Sequence, residues 1–211
     1  MTEAIKESLD LLFLELCFRE KPVIVVGGGP SLRDFDWKRL DGLNTVGCNF
    51  SCPNPMVSIS HDATFVRPAP RGCLEEWMAL PGHHIHVNRQ LQQPVQAVTF
   101  LNHLKEYSND YRIGIMAGSN CGIAAINLAD CLGARSIYLI GFDMKGENGQ
   151  SANWHDRYKR KSNERIYDRY IKDFGDIAGK VRALVVNLTP GSRLECFPKG
   201  ELSQLEVLRG Q

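Results

Sequence analysis

The sequence has no excess of charge of either sign. Its 25 Lys and Arg residues balance 24 Asp and Glu residues, which leaves a formal net charge of +1. This excludes a strong field that would attract nucleic acid or an anionic membrane over the whole surface. Any electrostatic recognition must therefore come from a local group of charges.

The sequence also lacks a hydrophobic run long enough to span a bilayer. Leu and Phe are dense in residues 1–20, but Glu15 and Arg19 interrupt them, and a span needs about 20 apolar residues. The same segment lacks the basic start and the small-residue cleavage site of a signal peptide. We therefore expect no membrane span and no export signal, and we predict that residues 1–20 form an amphipathic helix packed on the core.

Cys-x-x-Cys motifs are absent as well. The seven cysteines are odd in number and scattered, which argues against a disulfide framework and favours a reducing, cytoplasmic compartment. Cys48, Cys52 and His61 lack the second cysteine pair of a zinc site, and His84 and His86 match no zinc spacing. The sequence therefore predicts neither a bound metal nor another cofactor.

What the sequence does contain is an alternation of strand-like and helix-like segments. Apolar runs of strand length occur at residues 22–26, 44–48, 56–60, 85–88, 97–101, 136–141 and 183–188. Helical patterns occur at residues 31–40, 73–80, 119–132, 163–177 and 201–209. This order predicts one α/β domain over residues 1–211, with a mostly parallel sheet and helices on both faces. Ligands of such sheets bind at the carboxyl ends of the strands.

A glycine-rich turn follows the first strand-like run. Gly27, Gly28 and Gly29 allow a tight turn and let a ligand approach the backbone N–H groups without a Cβ in the way. Pro30 and Ser31 then begin a short helix, whose first N–H groups favour an anion. The pattern predicts a phosphate-binding turn, and the alternative is a strand-to-helix turn that binds nothing.

Polar residues follow three further strand-like runs. Asn49 comes after the second run and suits a base edge or a ribose, unless it only forms a turn. Asp62 comes after the third run and suits a ribose hydroxyl or a divalent cation, unless it caps the next helix. Asp143 follows the sixth run and is another acid at the same edge, with the capping of a loop as the alternative.

The most regular helical pattern, residues 119–132, begins with a second turn of small residues. Ser119 is the predicted N-cap of this helix, and Gly118 and Gly122 allow a ligand close to its N-terminus. Asn120 lies in the same turn and is expected to contact the ligand. Two helix starts at one edge of a sheet suit a nucleotide, which has two ends to hold.

Residues 145–162 comprise a loop rich in Gly, Asn and Ser, 145–154, and the basic, aromatic stretch 155–161 into which it leads. The segment is predicted to be a lid over an anionic ligand, and the alternative is a solvated surface turn. His155 is the histidine that suits a general acid or base, because Tyr158 and several cations lie near it in the sequence.

Taken in order, these motifs resemble those of glycosyltransferase family 42, which contains bacterial sialyltransferases. They also resemble the wider superfamily of motility accessory factors and archaeal 6-hydroxymethylpterin diphosphokinases. The shared pattern is a Gly-x-Gly-Pro-Ser-Leu loop, a Cys-Asn pair after the second strand, and a Ser-Gly helix start before a Tyr-Leu-x-Gly-x-Asp strand. The resemblance covers residues 22–190, and its motifs correspond to residues 27–32, 48–49, 118–119 and 138–143.

The resemblance implies a single Rossmann-like domain of the sialyltransferase variant, with a nucleotide or nucleotide-sugar across the glycine turn, Asn49 and the Ser119 helix start. It implies a metal-independent glycosyltransferase with a CMP-type donor, in which His155 is the general base. It also implies that Tyr158 and neighbouring basic residues neutralise the leaving phosphate. Small relatives look similar to bacteriophage proteins, so the acceptor is left open among a glycan, a small molecule and modified DNA.

Two other functions stay open. In a pterin-type pyrophosphokinase, Asp62 and Asp143 hold Mg²⁺ on a nucleoside triphosphate. A non-catalytic nucleotide-binding or phage assembly protein keeps the fold without the chemistry. The sequence also leaves open a homo-oligomer formed through exposed strand edges or through the N-terminal helix.

Overall fold

A central parallel sheet organises the chain. The computed structural model describes residues 3–88, 95, 97–158 and 162–209. The strands within these residues are β1 (Pro22–Val26), β2 (Asn44–Cys48), β3 (Val57–Ser60), β4 (His83–Val87), β5 (Val98–Leu101), β6 (His103–Leu104), β7 (Ile115–Met116), β8 (Ser136–Ile140) and β9 (Leu184–Asn187). Strands β6 and β7 pair with each other, and the other seven form one sheet in which every pairing is parallel. The fold is therefore a Rossmann-like α/β fold, as the sequence predicts.

The strand order shows where a ligand can bind. Across the sheet the order is β5-β4-β3-β2-β1-β8-β9. The chain builds outward from β1 to β5 and then crosses over to place β8 on the other side of β1, where Val25 pairs with Leu139. This reversal is a topological switch point. Ligands of open parallel sheets bind there, beside the carboxyl ends of the strands.

The central strands are apolar on both faces because both faces are covered. In β1, Val23 and Val25 contribute to one core, whereas Ile24 and Val26 contribute to the core on the opposite face. All four side chains are fully buried. An unbroken apolar run is typical of a parallel strand buried on both sides, and it positions the glycine turn at the centre of the molecule.

The described residues form five α-helices, which are α1 (Glu3–Phe18), α2 (Leu74–Met78), α3 (Cys121–Cys131), α4 (Ile166–Ala178) and α5 (Gln204–Leu208). Helices α1, α3 and α4 cover the first core through Leu14, Ile126 and Phe174. Helix α5 covers the second core through Leu205. Helix α2 contributes Trp77 to a third, smaller cluster.

The predicted N-terminal helix corresponds to α1, which carries one buried and one exposed apolar stripe in residues 10–18. Leu14 and Phe18 are buried in the core, whereas Leu12, Phe13 and Leu16 are half exposed or more. Within the described ranges, no helix has both the length and the apolar character that crossing a bilayer requires.

The structure corrects two expectations about local structure. Residues 31–40 do not form one helix but lie in two 3₁₀ turns, Pro30–Leu32 and Trp37–Leu40. The reason is that the Asp36 side chain accepts the Lys38 N–H and starts the second turn, a local bond that competes with a continuous helix. Strand β4 begins at His83, two residues before the predicted run. Strands β6 and β7 were not predicted, because two residues are too few to show a periodicity.

Candidate functional site

A cavity of about 400 Å³ opens at the switch point, beside the carboxyl ends of β1, β2, β3 and β8. We call it the central cavity. Its volume lies within the range of small-molecule sites, about 300–1,000 Å³. Most of the predicted site residues line it, namely Gly27, Gly28, Gly29, Asn49, Asp62, Ser119, Asn120, Asp143 and Tyr158. Pro30, Ser31, Gly118 and His155 are not among its lining residues.

The glycines after β1 let two chain segments touch. The Gly27 N–H donates to the Ile140 carbonyl at 2.8 Å, and the Gly29 N–H donates to the Gly141 carbonyl at 2.8 Å. A Cβ on Gly27 would lie 2.6 Å from the Gly141 carbonyl oxygen. The close packing of this turn against the chain that leaves β8 therefore requires glycine, whether or not a ligand is bound.

The carboxylate of Asp143 occupies the start of the turn Pro30–Leu32. It accepts hydrogen bonds from the Ser31 N–H at 3.0 Å and from the Ser31 hydroxyl at 2.8 Å. Burial raises the pKa of Asp143, and the two bonds from Ser31 oppose that rise. The N–H groups of Gly27, Gly29 and Ser31, which the sequence pattern assigns to a phosphate, are therefore used inside the protein.

The chain after β9 holds the segment that carries Asp143. The Phe142 N–H donates to the Thr189 hydroxyl at 2.9 Å, and the Arg193 N–H donates to the Asp143 carbonyl at 3.0 Å. The Lys145 Nζ donates to the Gly191 carbonyl at 3.1 Å. These contacts fix the position of Asp143 in the cavity. No sequence motif predicts them, because the partners are far apart along the chain.

Asn49 both shapes a turn and reaches the cavity. Its φ of 57° lies in the left-handed region, which Asn tolerates better than most residues. Its N–H donates to the Ile59 carbonyl at 2.9 Å, and its Oδ1 accepts the Cys121 thiol at 3.2 Å. Its side chain is also hydrogen-bonded to the Tyr158 hydroxyl. The turn-forming and ligand-binding interpretations of Asn49 are therefore compatible.

Asp62 is a capping residue that also faces the cavity. Its Oδ1 accepts the Thr64 N–H at 2.9 Å and the Thr64 hydroxyl at 3.0 Å, which caps the 3₁₀ turn Ala63–Val66. The capping alternative is thus confirmed. Because Asp62 also lines the central cavity, the cap does not exclude contact with a ligand.

The N-cap of α3 is Asn120, so the predicted cap at Ser119 is wrong by one residue. The Asn120 Oδ1 accepts the N–H groups of Gly122 at 2.9 Å and Ile123 at 3.3 Å, a role for which Asn is as well suited as Ser.

The Ser119 N–H donates to Asp173 at 3.1 Å. Ser119 Oγ and Asn120 Nδ2 are buried with no hydrogen-bond partner among the described residues. Buried polar groups are rarely left unpaired, so these two atoms are candidates to bind a ligand.

Residues 145–158 cover the glycine turn. The Trp154 N–H donates to the Gly28 carbonyl at 3.0 Å, and the indole Nε1 donates to the Ser51 carbonyl at 2.9 Å. The Trp154 ring packs on Trp37 with centroids 4.9 Å apart. The segment thus lies where a lid would lie, and its opening stays a prediction. The basic residues 159–161 of the predicted lid fall outside the described residues.

His155 lies in this covering segment, behind the lining of the cavity. Its ring contacts those of Trp154 and Tyr158, with centroids 5.1 Å from each. Burial, with a further contribution from Arg157, lowers the pKa of His155 to about 4, so the imidazole is neutral at pH 7. Its Nδ1 accepts the Arg157 N–H at 3.3 Å, and its Nε2 is buried without a partner in the described chain. A neutral ring can accept a proton, but in this conformation it does not face the cavity.

Several residues of the lining belong to none of the motifs in the sequence. Tyr167 and Tyr170 lie one turn apart on α4 and face the cavity, and the Ala152 N–H donates to the Tyr167 hydroxyl at 3.1 Å. His61 and Cys121 also line the cavity, with 3.2 Å between Cys121 Sγ and His61 Nδ1. The spacing of the two tyrosines on a helix could have indicated a shared face. The contact between His61 and Cys121 has no counterpart in the sequence pattern.

The charged groups of the central cavity are two carboxylates. Asp62 and Asp143 line it, and no Lys or Arg of the described residues does. Within the same residues, no group of three or more His, Cys, Asp and Glu side chains is arranged to hold a metal ion. Within the described residues, the charge of a bound phosphate would therefore be balanced by hydroxyl and amide donors or by a cation that the ligand brings with it.

Buried histidines make the fold sensitive to acid. Burial lowers the pKa of His61, His84, His86 and His155 below the ordinary value of 6.5. Below that pH the unfolded chain binds more protons, so stability that is complete above pH 6.5 is lost as the pH falls through the folded pKa values. We expect the free energy of unfolding to fall as the pH drops from about 6.5 towards about 4, the folded pKa of His155, by about 1.4 kcal/mol for each unit by which a folded pKa lies below 6.5. Urea melts measure this, and an unchanged midpoint would contradict it.

The chain matches no protein-family model, no curated protein and no solved structure.

Proposed function

We propose that the chain is a metal-independent glycosyltransferase that binds a nucleotide-activated sugar, of CMP type, in the central cavity. The strongest support is that the segments with the predicted motifs meet around one cavity. The glycine turn after β1, Asn49 after β2 and Asp143 after β8 meet the start of α3 around one cavity. These are the segments that carry the resemblance to family 42. The cavity also lies at the switch point, where nucleotides bind in open parallel sheets.

The cavity offers groups for the two parts of such a donor. Ser119 Oγ and Asn120 Nδ2 lack partners among the described residues and suit the acceptor atoms of a base, a carboxylate or a phosphate. The carboxylates of Asp62 and Asp143 suit the hydroxyl groups of a ribose or a sugar. The tyrosines of the lining add aromatic surface on which a flat ring can pack.

Sugar transfer needs a group that neutralises the leaving phosphate and a base that takes the proton of the acceptor hydroxyl. Burial raises the pKa of the Tyr158 hydroxyl, which therefore stays protonated and can donate to the leaving phosphate. The resemblance assigns the base to His155, whose imidazole is neutral at pH 7. The acceptor is a glycan, a small molecule or modified DNA.

A Mg²⁺-dependent pyrophosphokinase of the pterin type is the second candidate. The observation that favours it is the pair of carboxylates, Asp62 and Asp143, in a cavity that no described Lys or Arg lines. Mg²⁺ is commonly held by one or two carboxylates together with substrate phosphates. Each carboxylate would have to share its oxygens, because Asp143 already binds Ser31 and Asp62 already caps Thr64.

Nucleotide binding separates the two functions. CMP is expected to raise the melting temperature without Mg²⁺, because a ligand that binds only the folded state stabilises it. At 100 times its Kd the gain is about 2.7 kcal/mol, or roughly 5–10 °C for a chain of this length. A thermal-shift series with CMP, CTP, UDP, GDP and ATP, each with and without Mg²⁺, measures this.

The other outcomes of the series are equally informative. Stabilisation only by a triphosphate with Mg²⁺, reversed by EDTA, would support the pyrophosphokinase. No shift with any nucleotide would contradict both functions and favour an assembly protein. Binding of CMP without transfer or hydrolysis of any CMP-sugar would indicate a nucleotide-binding protein that lacks the chemistry.

A further inference from the structure

The histidine that lines the central cavity is not the one that the resemblance names. All six histidines lie in the described residues, and His61 is the one in the lining. His84 and His86 are buried in the sheet, with ring nitrogens bonded to the carbonyls of Trp77 at 2.8 Å and Asp62 at 3.2 Å. His61 follows β3 directly, at the carboxyl edge of the sheet, where a ligand can reach it.

A chain of hydrogen bonds fixes the tautomer of His61. The Cys121 sulfur lies 3.2 Å from Asn49 Oδ1 and 3.2 Å from His61 Nδ1. Asn49 Oδ1 can only accept, so the single thiol proton is donated to it. His61 Nδ1 must then donate its own proton to the sulfur. A neutral ring with its proton on Nδ1 carries its lone pair on Nε2, which is then the nitrogen that can accept a proton from a ligand.

The same chain orients Tyr158. Burial raises the pKa of Tyr158 and the bond from Asn49 opposes that rise, which is the effect of a donor, so the Asn49 amide donates from Nδ2 to the Tyr158 hydroxyl oxygen. The proton of that hydroxyl is then available to a ligand. One asparagine thus orients a hydroxyl donor and, through Cys121, a nitrogen acceptor at the same cavity. A donor for the leaving phosphate and an acceptor for the incoming hydroxyl are the two groups that sugar transfer needs.

We propose that His61 is the catalytic base of the central cavity and that Cys121 is the residue that positions its ring. This inference rests on the proposed function. The acceptor O–H bond breaks and its proton goes to His61 Nε2, which makes the ring cationic until water removes the proton. The acceptor oxygen forms a bond to the anomeric carbon. The bond from that carbon to the phosphate oxygen breaks, and its electron pair leaves with the nucleotide.

The surroundings keep His61 neutral and Cys121 protonated. Burial lowers the pKa of His61, while Asp62 raises it and His103, from β6, lowers it further. His86 approaches from β4 and is itself kept neutral, because burial lowers its pKa. Burial raises the pKa of the Cys121 thiol to about 12. The thiol is therefore a hydrogen-bond partner at neutral pH and not a nucleophile.

Three variants of the full chain test the base, with CMP release from a CMP-sugar as the assay. His61→Gln is expected to lower kcat about 100-fold, with the Kd of CMP changed less than about threefold. His83→Gln is the matched control and should keep wild-type kcat, because His83 begins β4 at the opposite edge of the sheet. If His155→Ala is inactive while His61→Gln keeps wild-type kcat, the inference is overturned, the proposed function stands and His155 is the base.

Two measurements test whether Cys121 positions the His61 ring. They are the pH profile of kcat/KM and the recovery of activity in a serine variant. Cys121→Ala is expected to lower kcat about tenfold and to change the acid limb of the kcat/KM profile, because the ring loses its partner at Nδ1. Cys121→Ser keeps a hydroxyl at the same place and should restore most of the activity. Equal activity of the alanine and serine variants, with unchanged profiles, would contradict a positioning role.

A readout that needs no turnover comes from ¹⁵N NMR of the histidine-labelled chain. The expected result is a proton on Nδ1 of His61 and a change in the His61 signals when CMP is added. A proton on Nε2 overturns the inference whether or not the chain is a transferase. If no nucleotide shifts the melting temperature or the His61 signals, the proposed function fails and the inference fails with it.

Discussion

Replacement of Gly29 by alanine is expected to cost about 3 kcal/mol of folding free energy and to abolish nucleotide binding. The new Cβ would overlap Asp143 Oδ2 and lie 2.6 Å from the Gly141 carbonyl oxygen. Neither neighbour can move away without breaking the bonds from Ser31 to Asp143 or the bond between Gly29 and Gly141. Because all these groups border the central cavity, its shape would change. Urea denaturation measures the first effect, and the thermal shift with CMP measures the second.

Other glycines provide the controls. Gly175→Ala lies on α4 with nothing within 4 Å of the new Cβ, and it is expected to stabilise the fold by about 0.5–1 kcal/mol. Gly28→Ala meets Asn153 Oδ1 at 2.7 Å, the end of a side chain that can move, so its cost should be smaller. In the Asp143→Ala background, which has already lost the bonds from Ser31, the added cost of Gly29→Ala should be smaller than in the wild-type chain, because one of the two overlaps is absent. If Gly28→Ala and Gly29→Ala lost equal amounts of folding free energy, the overlap with Asp143 and Gly141 would not explain the cost at Gly29.

The strands were predictable because a buried parallel strand is an unbroken run of apolar residues, which is visible in the sequence. All seven strands of the central sheet overlap a predicted apolar run, and β1 matches residues 22–26. The segment 31–40 was not predictable in the same way. A helix and two 3₁₀ turns share much of their composition, and the difference depends on one bond from Lys38 to the Asp36 side chain.

The site residues that follow the carboxyl ends of the strands were predictable as well, but the groups to which they are hydrogen-bonded were not. The carboxyl ends of parallel strands share one edge, and this rule alone brings Gly27, Asn49 and Asp143 to one cavity. The rule does not show that Asp143 turns back onto Ser31 or that Cys121 meets His61, because both contacts join distant parts of the chain. The basic, aromatic neighbours of His155 in the sequence thus predict a catalytic role for it, whereas packing decides which histidine faces the cavity.

Removal of the Asn49 side chain is expected to lower the turnover of a CMP-sugar about 100-fold at little cost in stability. Asn49→Gly keeps the backbone at φ 57°, which glycine adopts freely, and keeps the N–H bond to the Ile59 carbonyl. Without Oδ1 the Cys121 thiol donates to His61 Nδ1 instead, which leaves the ring proton on Nε2. That tautomer cannot accept a proton from a ligand. CMP release gives kcat, and urea denaturation gives stability.

Two further asparagine variants separate the effect of backbone strain at residue 49 from the effect of losing its side-chain hydrogen bonds. Asn49→Ala should match the glycine variant in kcat but be about 1 kcal/mol less stable, because alanine is strained at positive φ. Asn44→Ala, at the opposite end of β2, loses a bond to the Cys17 carbonyl and should cost about 1 kcal/mol without a change in kcat. If Asn49→Gly kept wild-type turnover, the hydrogen bonds from Tyr158 to His61 would have no part in the reaction. A fall in kcat at unchanged stability and unchanged Kd of CMP would instead tie turnover to this chain of hydrogen bonds, whereas a raised Kd would indicate that Asn49, which lines the cavity, contacts the nucleotide itself.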